Sequence, residues 1–210
     1  MKRIVSPARA IGAVIVAAVL LAGCGIVPGS GTPPRVFVLS PKSTYSPDLP
    51  KATWQLTVDM PVAEAGLNTQ RIALQRNALT LEYYADANWV DTAPAMVQRL
   101  LVESFENTGK IVAVGRQSVL LRSDFNLLVD LREFQAEYRD GGAPRVHVRL
   151  NGKLVRMPQR AIIGTMTAEN FEQAQGTDMD AVVHAFDEAL GKAMKRLVEW
   201  TIWTAQAAGT

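Results

Sequence analysis

Two alternating segments in the second half of the chain limit the choice of fold more than any other feature. Residues 125–131 alternate apolar and polar side chains, and residues 145–151 do the same after the turn signal Asp140-Gly141-Gly142. Such an alternation places the apolar side chains on one face of a strand and the polar ones on the other. The pattern predicts a long antiparallel hairpin whose apolar face needs a second layer to cover it.

The covering layer is predicted to be helical. An apolar stripe with a period near 3.6 runs through residues 179–203. Its start is similar to a capping box, with Thr177 as the cap and Asp180 in place of the preferred Glu. A second helix is predicted to begin at the Asp-Thr-x-Pro signal of residues 91–94 and to end at Asn107-Thr108-Gly109.

Shorter β-type segments complete the predicted fold. They lie at residues 35–39, 54–58, 71–74, 79–84, 111–114, 118–121 and 160–168. Asp86-Ala87-Asn88 is predicted as a loop, and Asn151-Gly152 as a second tight turn or a bulge. Together the segments predict an α+β domain of two layers, with a mainly antiparallel or mixed sheet of about six to seven strands packed by two helices.

The N-terminus predicts a lipid anchor. Three cations among the first nine residues precede the apolar run of residues 10–22, which is too short to span a bilayer but suits a secretion signal. Leu21-Ala22-Gly23-Cys24 resembles a bacterial lipobox. That resemblance implies a diacylglycerol on the Cys24 thiol, cleavage between Gly23 and Cys24, and acylation of the new amino group. The alternative is an ordinary secreted protein with a thiol near its cleavage site.

The predicted anchor sets the domain organisation. Residues 1–23 would be a cleaved signal peptide, 24–34 a lipidated tether rich in Gly and Pro, and 35–207 a single folded domain. No cofactor is expected besides the covalent diacylglycerol and N-acyl chain on Cys24. Gly25 follows the cysteine where lipoproteins kept at the inner membrane usually carry Asp. By that analogy we expect an outer-membrane lipoprotein that faces the periplasm.

Charge argues against a nucleic-acid partner. The chain has 22 basic and 20 acidic residues, and three of the basic ones fall in the predicted signal peptide. The remaining charges nearly balance, and no segment concentrates basic residues as phosphate backbones require.

Residues suited to catalysis or metal binding are few. His147 lies between two arginines on a strand and is predicted to be a solvated surface residue, and His184 is predicted to pack at a helix edge. Asp178 and Asp180 fit the start of a helix, where the dipole favours carboxylates. No nucleophile elbow, Walker loop or dinucleotide fingerprint occurs. We therefore predict neither a catalytic residue nor a metal site.

The aromatic residues are the candidates for partner binding. Tyr83, Tyr84 and Trp89 surround the predicted polar loop, and Trp200 and Trp203 end the last helix. Core packing and helix-end contacts are one explanation. The other is an exposed anchor for a partner, since Trp and Tyr are enriched among interface hot spots. We select Tyr84, Trp89, Trp200 and Trp203 as the candidate partner-binding residues.

The order of segments after the lipobox resembles a known family. The resemblance rests on Arg35-Val-Phe-Val-Leu39, Leu56-Thr-Val-Asp-Met-Pro61, Leu67-Asn-Thr-Gln-Arg-Ile-Ala-Leu74, Leu81-Glu-Tyr-Tyr-Ala-Asp-Ala-Asn-Trp-Val90, the helix led by Pro94, and Glu199-Trp-Thr201. In this order the segments resemble the ABC-type transport auxiliary lipoproteins, the PqiC-like family that accompanies MCE-domain lipid transporters. One departure is Asn88, where that family leads us to expect a basic residue.

The resemblance implies a non-catalytic accessory or docking subunit that helps to move phospholipid across the envelope. Its partners would be an MCE-domain protein together with the ABC permease and ATPase, and it could also self-associate into a homo-oligomer. The alternative is a periplasmic lipid or small-ligand carrier, or an envelope enzyme that shares only the lipid anchor. A carrier would need an enclosed apolar cavity, whereas a docking subunit needs an exposed surface.

Overall fold

The computed structural model describes residues 33–116, 122–139 and 141–209. The predicted signal peptide, the lipobox with Cys24, nearly all of the tether and the predicted strand at 118–121 lie outside these residues. Within the described part of the chain, no helix combines the length and apolar character that a membrane crossing requires.

The described residues form an α+β fold, as predicted, with more strands than expected. The strands are β1 (Arg35–Phe37), β2 (Ala52–Val58), β3 (Val62–Ala63), β4 (Arg71–Asn77), β5 (Thr80–Trp89), β6 (Ile111–Arg116), β7 (Phe125–Glu137), β8 (Arg145–Arg156) and β9 (Ala161–Gln173). The helices are α1 (Ala93–Glu106) and α2 (Met179–Gly209). All nine of these strands belong to one sheet.

β7 is the centre of the sheet. β8 pairs with it in antiparallel fashion along its whole length, and β9 pairs with β8 in the same way. The other edge of β7 is shared by β2, β3 and β4, which all run parallel to it and cover successive stretches. β6 lies beyond β2, while β5 and then β1 lie beyond β4. The sheet is therefore mixed, and it forks into two branches on one side of β7.

Both helices pack on one face of this sheet. α2 lies across β8 and β9, and α1 packs on β2, β6 and α2. The apolar alternation of β7 and β8 faces these helices, because Leu127, Val129, Val148 and Leu150 all belong to the buried core. Two layers result, and in the part of the chain that the structure describes the helices cover one side of the sheet only.

α2 differs from its prediction at both ends. The carboxylate of Asp178 accepts the backbone N–H of Ala181 at 3.0 Å, so Asp178 rather than Thr177 caps the helix. The helix also continues past residue 203 to Gly209. Its last turn has a tertiary partner, since the Arg156 guanidinium on β8 donates a hydrogen bond to the carbonyl of Ala208.

The predicted loop at Asp86-Ala87-Asn88 belongs to a strand. β5 continues through it to Trp89 because β1 pairs alongside, with Arg35 opposite Ala87 and Val36 opposite Asn88. A parallel partner from a distant part of the chain leaves no local sequence signal, and the polar composition of the segment was misleading.

Asn151-Gly152 is also strand rather than a turn or bulge. Both residues pair within the unbroken middle of β8, with Asn151 opposite Asp130 and Gly152 opposite Val129. Gly152 lies under α2, and a Cβ atom there would come within 2.5 Å of Leu197 Cδ1. The glycine is needed for the close approach of helix and sheet, not for a turn conformation.

The uncovered face of the sheet as candidate functional site

The face of β7, β8 and β9 that points away from the helices carries a dense polar array, which we call the open face. A β-bulge at Arg132 shapes it, since Leu131 pairs with Leu150 and Glu133 with Arg149. The extra residue reverses the alternation of β7 beyond that point. The members of the open face are Glu133, Gln135 and Glu137 on β7, Arg145, His147, Arg149 and Asn151 on β8, and Glu169 and Phe171 on β9.

Glu137 is the acceptor at the centre of this array. Its Oε2 accepts from Nη2 of Arg139 at 2.7 Å and from Nη2 of Arg145 at 3.2 Å, and its Oε1 lies 2.8 Å from Nδ1 of His147. Burial raises the pKa of the Glu137 carboxyl, but the hydrogen bonds from His147, Arg145 and Arg139 lower it more. The net pKa lies below the ordinary value of 4.5, so the group is ionised at neutral pH.

His147 is buried, which corrects the prediction of a solvated side chain. Its Nε2 lies 2.7 Å from Oε1 of Glu169, while its Nδ1 faces Glu137. Which of the two ring nitrogens donates depends on the tautomer of the imidazole. The ring also stacks on Phe171, with 4.1 Å between centroids. Long side chains from β7 and β9 enclose the histidine, and a single strand's pattern does not reveal such neighbours.

A second ion pair continues the array. Nη2 of Arg149 donates to Oε1 of Glu133 at 2.5 Å, and Nε2 of Gln135 donates to the other oxygen of Glu133 at 2.7 Å. The carbonyl oxygen of the Gln135 side chain accepts the backbone N–H of Phe134 at 2.7 Å. These bonds fix the side chains of neighbouring strands in one arrangement.

Phe171 gives the open face an exposed aromatic residue. Its ring is held by His147 and by the Arg145 guanidinium carbon, 4.3 Å from the ring centroid, yet the residue is 42% exposed. Two grooves open to solvent border other parts of the same array. One of about 360 Å³ borders Arg132, Glu133 and Arg149, and one of about 260 Å³ borders Glu137, Arg139 and Arg145. An aromatic centre with a fixed polar surround is typical of interface hot spots.

Some buried polar atoms of the open face are unpaired. Among the described residues, Nε of Arg145, Nε of Arg149 and Oδ1 of Asn151 have no hydrogen-bond partner. Buried polar groups are rarely left so, because each one costs free energy. They lie beneath the exposed parts of the array, out of reach of solvent.

The array does not have the geometry of a metal site. Over residues 33–116, 122–139 and 141–209, no group of three or more His, Cys, Asp or Glu side chains is placed to hold a metal ion. Glu137 and Glu169 lie on opposite nitrogens of His147, so the three side chains do not converge on one point.

The predicted partner-binding residues do not form one surface. Trp89 lies in the core at 1% exposure, with its ring 5.6 Å from Phe134 and 5.1 Å from Phe186 between centroids. The interpretation as an exposed anchor does not fit Trp89, because no face of its indole is open to a partner. Tyr84 is half-buried, and its hydroxyl lies 2.9 Å from that of Tyr138. Burial raises the pKa of the Tyr84 phenol.

Trp200 and Trp203 lie near the other end of the sheet. Trp200 is half-buried over β9, where a Cβ atom on Gly164 would lie 3.0 Å from its ring. Trp203 is 49% exposed and keeps the character of a candidate anchor. Sequence reasoning missed Phe171 and the charged array because their meaning depends on how three strands are aligned.

Comparison with protein families places these features in context. The family model described as "ABC-type transport auxiliary lipoprotein component" matches residues 37–198. A curated uncharacterized protein of Bradyrhizobium diazoefficiens is 30% identical over 185 residues. The match covers 87% of this chain and 49% of that protein, so the chain spans about half the length of this relative.

Solved structures share the fold. A crystal structure of a Xanthomonas campestris protein of the DUF330 family has a TM-score of 0.79 and 31% identity, covering 83% of this chain and 98% of that one. A second structure, titled only as an uncharacterized protein, has a TM-score of 0.63 and 16% identity, covering 80% of this chain and 97% of that one. The second similarity concerns the fold alone.

Proposed function

The chain belongs to the family of ABC-type transport auxiliary lipoprotein components, and we propose that it is the docking subunit of an MCE-type ABC transporter. In this proposal Cys24 carries the diacylglycerol and N-acyl chain, and the domain faces the periplasm from the outer membrane. The transporter's MCE-domain protein binds the open face and moves phospholipid. The family is one of transport components rather than enzymes, and the chain's own role would be non-catalytic.

The open face is the observation that carries this proposal. Both helices pack on the opposite side of the sheet, so neither covers the polar array, and Phe171 is exposed at its surface. Its charges are already paired within the chain, notably Glu137 with Arg139 and Arg145. Covering paired charges costs far less than covering unpaired ones. A partner can therefore bury this surface around the aromatic ring at a modest desolvation cost.

The array also offers specificity. The Arg145 and Arg149 side chains are 36% and 35% exposed, so their guanidinium groups can donate hydrogen bonds to a partner's carbonyl or carboxylate oxygens. The fixed order of positive and negative side chains along β8 and its neighbours favours a surface of complementary charge. Such a surface selects a protein partner rather than an acyl chain.

A lipid carrier fits the geometry less well. A carrier encloses its ligand in a mainly apolar cavity of several hundred Å³. The two grooves along the open face are open to solvent and are bordered by charged side chains, Glu133 and Arg149 in one and Glu137 and Arg145 in the other. Charged walls of this kind do not suit an acyl chain, and docking is the better-supported function.

Crosslinked recovery from native membranes tests the proposal. The parent protein, Phe171→Ala and the matched control Val112→Ala are each expressed, crosslinked, purified and analysed by mass spectrometry for co-purified proteins. Val112 is 69% exposed on β6, away from the open face. We expect the parent and Val112→Ala to recover an MCE-domain protein, and Phe171→Ala to recover roughly tenfold less, as loss of a hot spot does.

Two results would contradict the proposal. One is recovery of no transporter component with the parent protein. The other is equal recovery with Phe171→Ala, provided that its circular dichroism and urea unfolding match those of the parent. The same samples test the anchor, because the mass of the N-terminal peptide reports whether Cys24 carries acyl chains.

A further inference from the structure

The hairpin between β4 and β5 ends in an exposed apolar residue. Leu79 occupies the two-residue turn with Ala78 and is 98% exposed. The turn is held in place, since Asn77 pairs with Thr80 and the Asn77 side-chain carbonyl accepts the backbone N–H of Leu79 at 3.1 Å. Turns of this kind favour Gly, Asn and Asp. A fixed, fully exposed leucine therefore needs a reason beyond the turn itself.

A cationic groove adjoins this tip. It has a volume of about 380 Å³, and Arg76, Ala78, Tyr138 and Arg139 are among its lining residues. The arginine side chains are 61% and 65% exposed. Arg76 makes one long contact, 3.4 Å from Nε to a Glu82 oxygen, and its guanidinium carbon lies 5.2 Å from the Tyr138 ring centroid.

The groove retains free cationic donors. Nη2 of Arg139 donates to Glu137, which also lines the groove. The Glu137 carboxylate also accepts a hydrogen bond from Arg145 and contacts His147. Its negative charge is therefore shared among several partners, and the charge of Arg139 is only partly balanced by it. Each guanidinium has five N–H donors, of which these contacts use one on Arg76 and one on Arg139, and such planar forks suit the oxygens of a phosphate group.

The tip and groove lie toward the end of the sheet where the domain begins. β1 runs parallel to β5 with Arg35 opposite Ala87, so both strands begin toward the same end of the sheet. α2 also starts there, because Arg35 Nη2 lies 2.6 Å from Asp180 in its first turn. An apolar tip and two cations thus lie toward the end at which the chain enters the domain.

We propose that the β4–β5 tip contacts a phospholipid leaflet, with Leu79 inserted at the level of the upper acyl chains and Arg76 and Arg139 bound to headgroup phosphates. An apolar tip with cations behind it matches a leaflet, because the headgroup phosphates lie directly above the apolar acyl chains. Arginine side chains near an anionic surface add attraction to that of the apolar residue. Arg139 also borders the groove beside Arg145, but Leu79 and Arg76 are not members of the open face, so this inference does not rest on the docking function.

Fluorescence at the tip tests the proposal on the full chain. Leu79→Cys is labelled with an NBD fluorophore and mixed with vesicles of phosphatidylethanolamine and phosphatidylglycerol, some of which carry nitroxide-labelled lipid. The unsubstituted protein, treated identically, measures any label at Cys24. The control is Val112→Cys, since β6 pairs with β2 far from the tip. We expect the emission of the label at position 79 to shift to the blue and to be quenched by nitroxides that lie roughly 5–10 Å below the headgroups. The label at position 112 should show neither effect.

Charge dependence provides the second readout. The substitution Arg76→Gln, made in the Leu79→Cys protein, is expected to reduce the quenching of the label. Vesicles of phosphatidylcholine alone, which carry no net negative charge, are expected to reduce the quenching roughly twofold or more. If the label at position 79 emits with every kind of vesicle as it does in buffer, the proposal is overturned. A blue shift that appears only when the transporter protein is added also overturns it, because that would indicate a protein socket. Leu79→Asp is expected to keep normal recovery of the MCE-domain protein, so the two proposals fail separately.

Discussion

Replacing Gly152 with alanine tests the packing of α2 against the sheet. The new methyl group would lie 2.5 Å from Leu197 Cδ1 and 3.6 Å from Leu127 Cδ1, and both leucines are fully buried. One excess methylene in a filled core costs about 1–3 kcal/mol. Alanine regains about 0.5–1 kcal/mol because glycine loses more backbone freedom on folding. We therefore expect the free energy of unfolding to fall by about 1–2 kcal/mol.

Urea unfolding measures this loss against a matched glycine. Gly142→Ala is the control, because a Cβ atom there meets nothing within 4 Å, and its effect should stay within about 0.5 kcal/mol. The Gly152→Ala midpoint should fall by about 0.5–1 M urea. In a double-mutant cycle, Leu197→Ala should cost less in the Gly152→Ala protein than in the parent. Equal stability of the two glycine variants would refute the close-approach argument.

Three further predictions follow from the described contacts. Trp89→Ala should lower the free energy of unfolding by about 3–5 kcal/mol or prevent folding, as measured by urea titration, because the indole fills the aromatic core. Glu137→Gln should be less stable than the parent at pH 7 by roughly 1–3 kcal/mol. Because the pKa of Glu137 is lower in the folded protein than the ordinary 4.5, its ionised carboxylate stabilises the fold at pH values above 4.5. The difference in the free energy of unfolding between the parent and Glu137→Gln should therefore shrink as the pH falls below 4.5. Trp203→Ala should change the free energy of unfolding by less than about 0.5 kcal/mol, whereas Trp200→Ala should lower it because the ring packs on β9. If Trp203→Ala also reduces the recovery of the transporter protein, Trp203 is a second anchor for the partner.

Local periodicity predicted the parts of the fold that local residues determine. The alternation of residues 125–131 and 145–151 is the hairpin of β7 and β8, and Thr92 with Pro94 precedes a helix that ends at Glu106 as expected. Each of these signals lies within a short window of the chain. The α+β class followed from them because an apolar sheet face needs a helical cover.

Features that depend on distant strands were not predictable in this way. The polar segment 86–88 is strand because β1 pairs with it, and Gly152 is mid-strand because α2 lies on top of it. His147 has the sequence context of a solvated residue, yet carboxylates from β7 and β9 enclose it. In each case the deciding partner is far away in sequence, where a single-strand pattern contains no information about it.

The bulge at Arg132 shows how one residue determines the open face. If β7 continued its alternation without the extra residue, Glu133, Gln135 and Glu137 would turn toward α2, and Phe134 would turn toward solvent. Carboxylates would then lie in the apolar core, and the arginines of β8 would face no acceptors on β7. The polar array and the aromatic core around Phe134 therefore have a common origin, because a single unpaired residue directs three side chains to one face and their neighbours to the other.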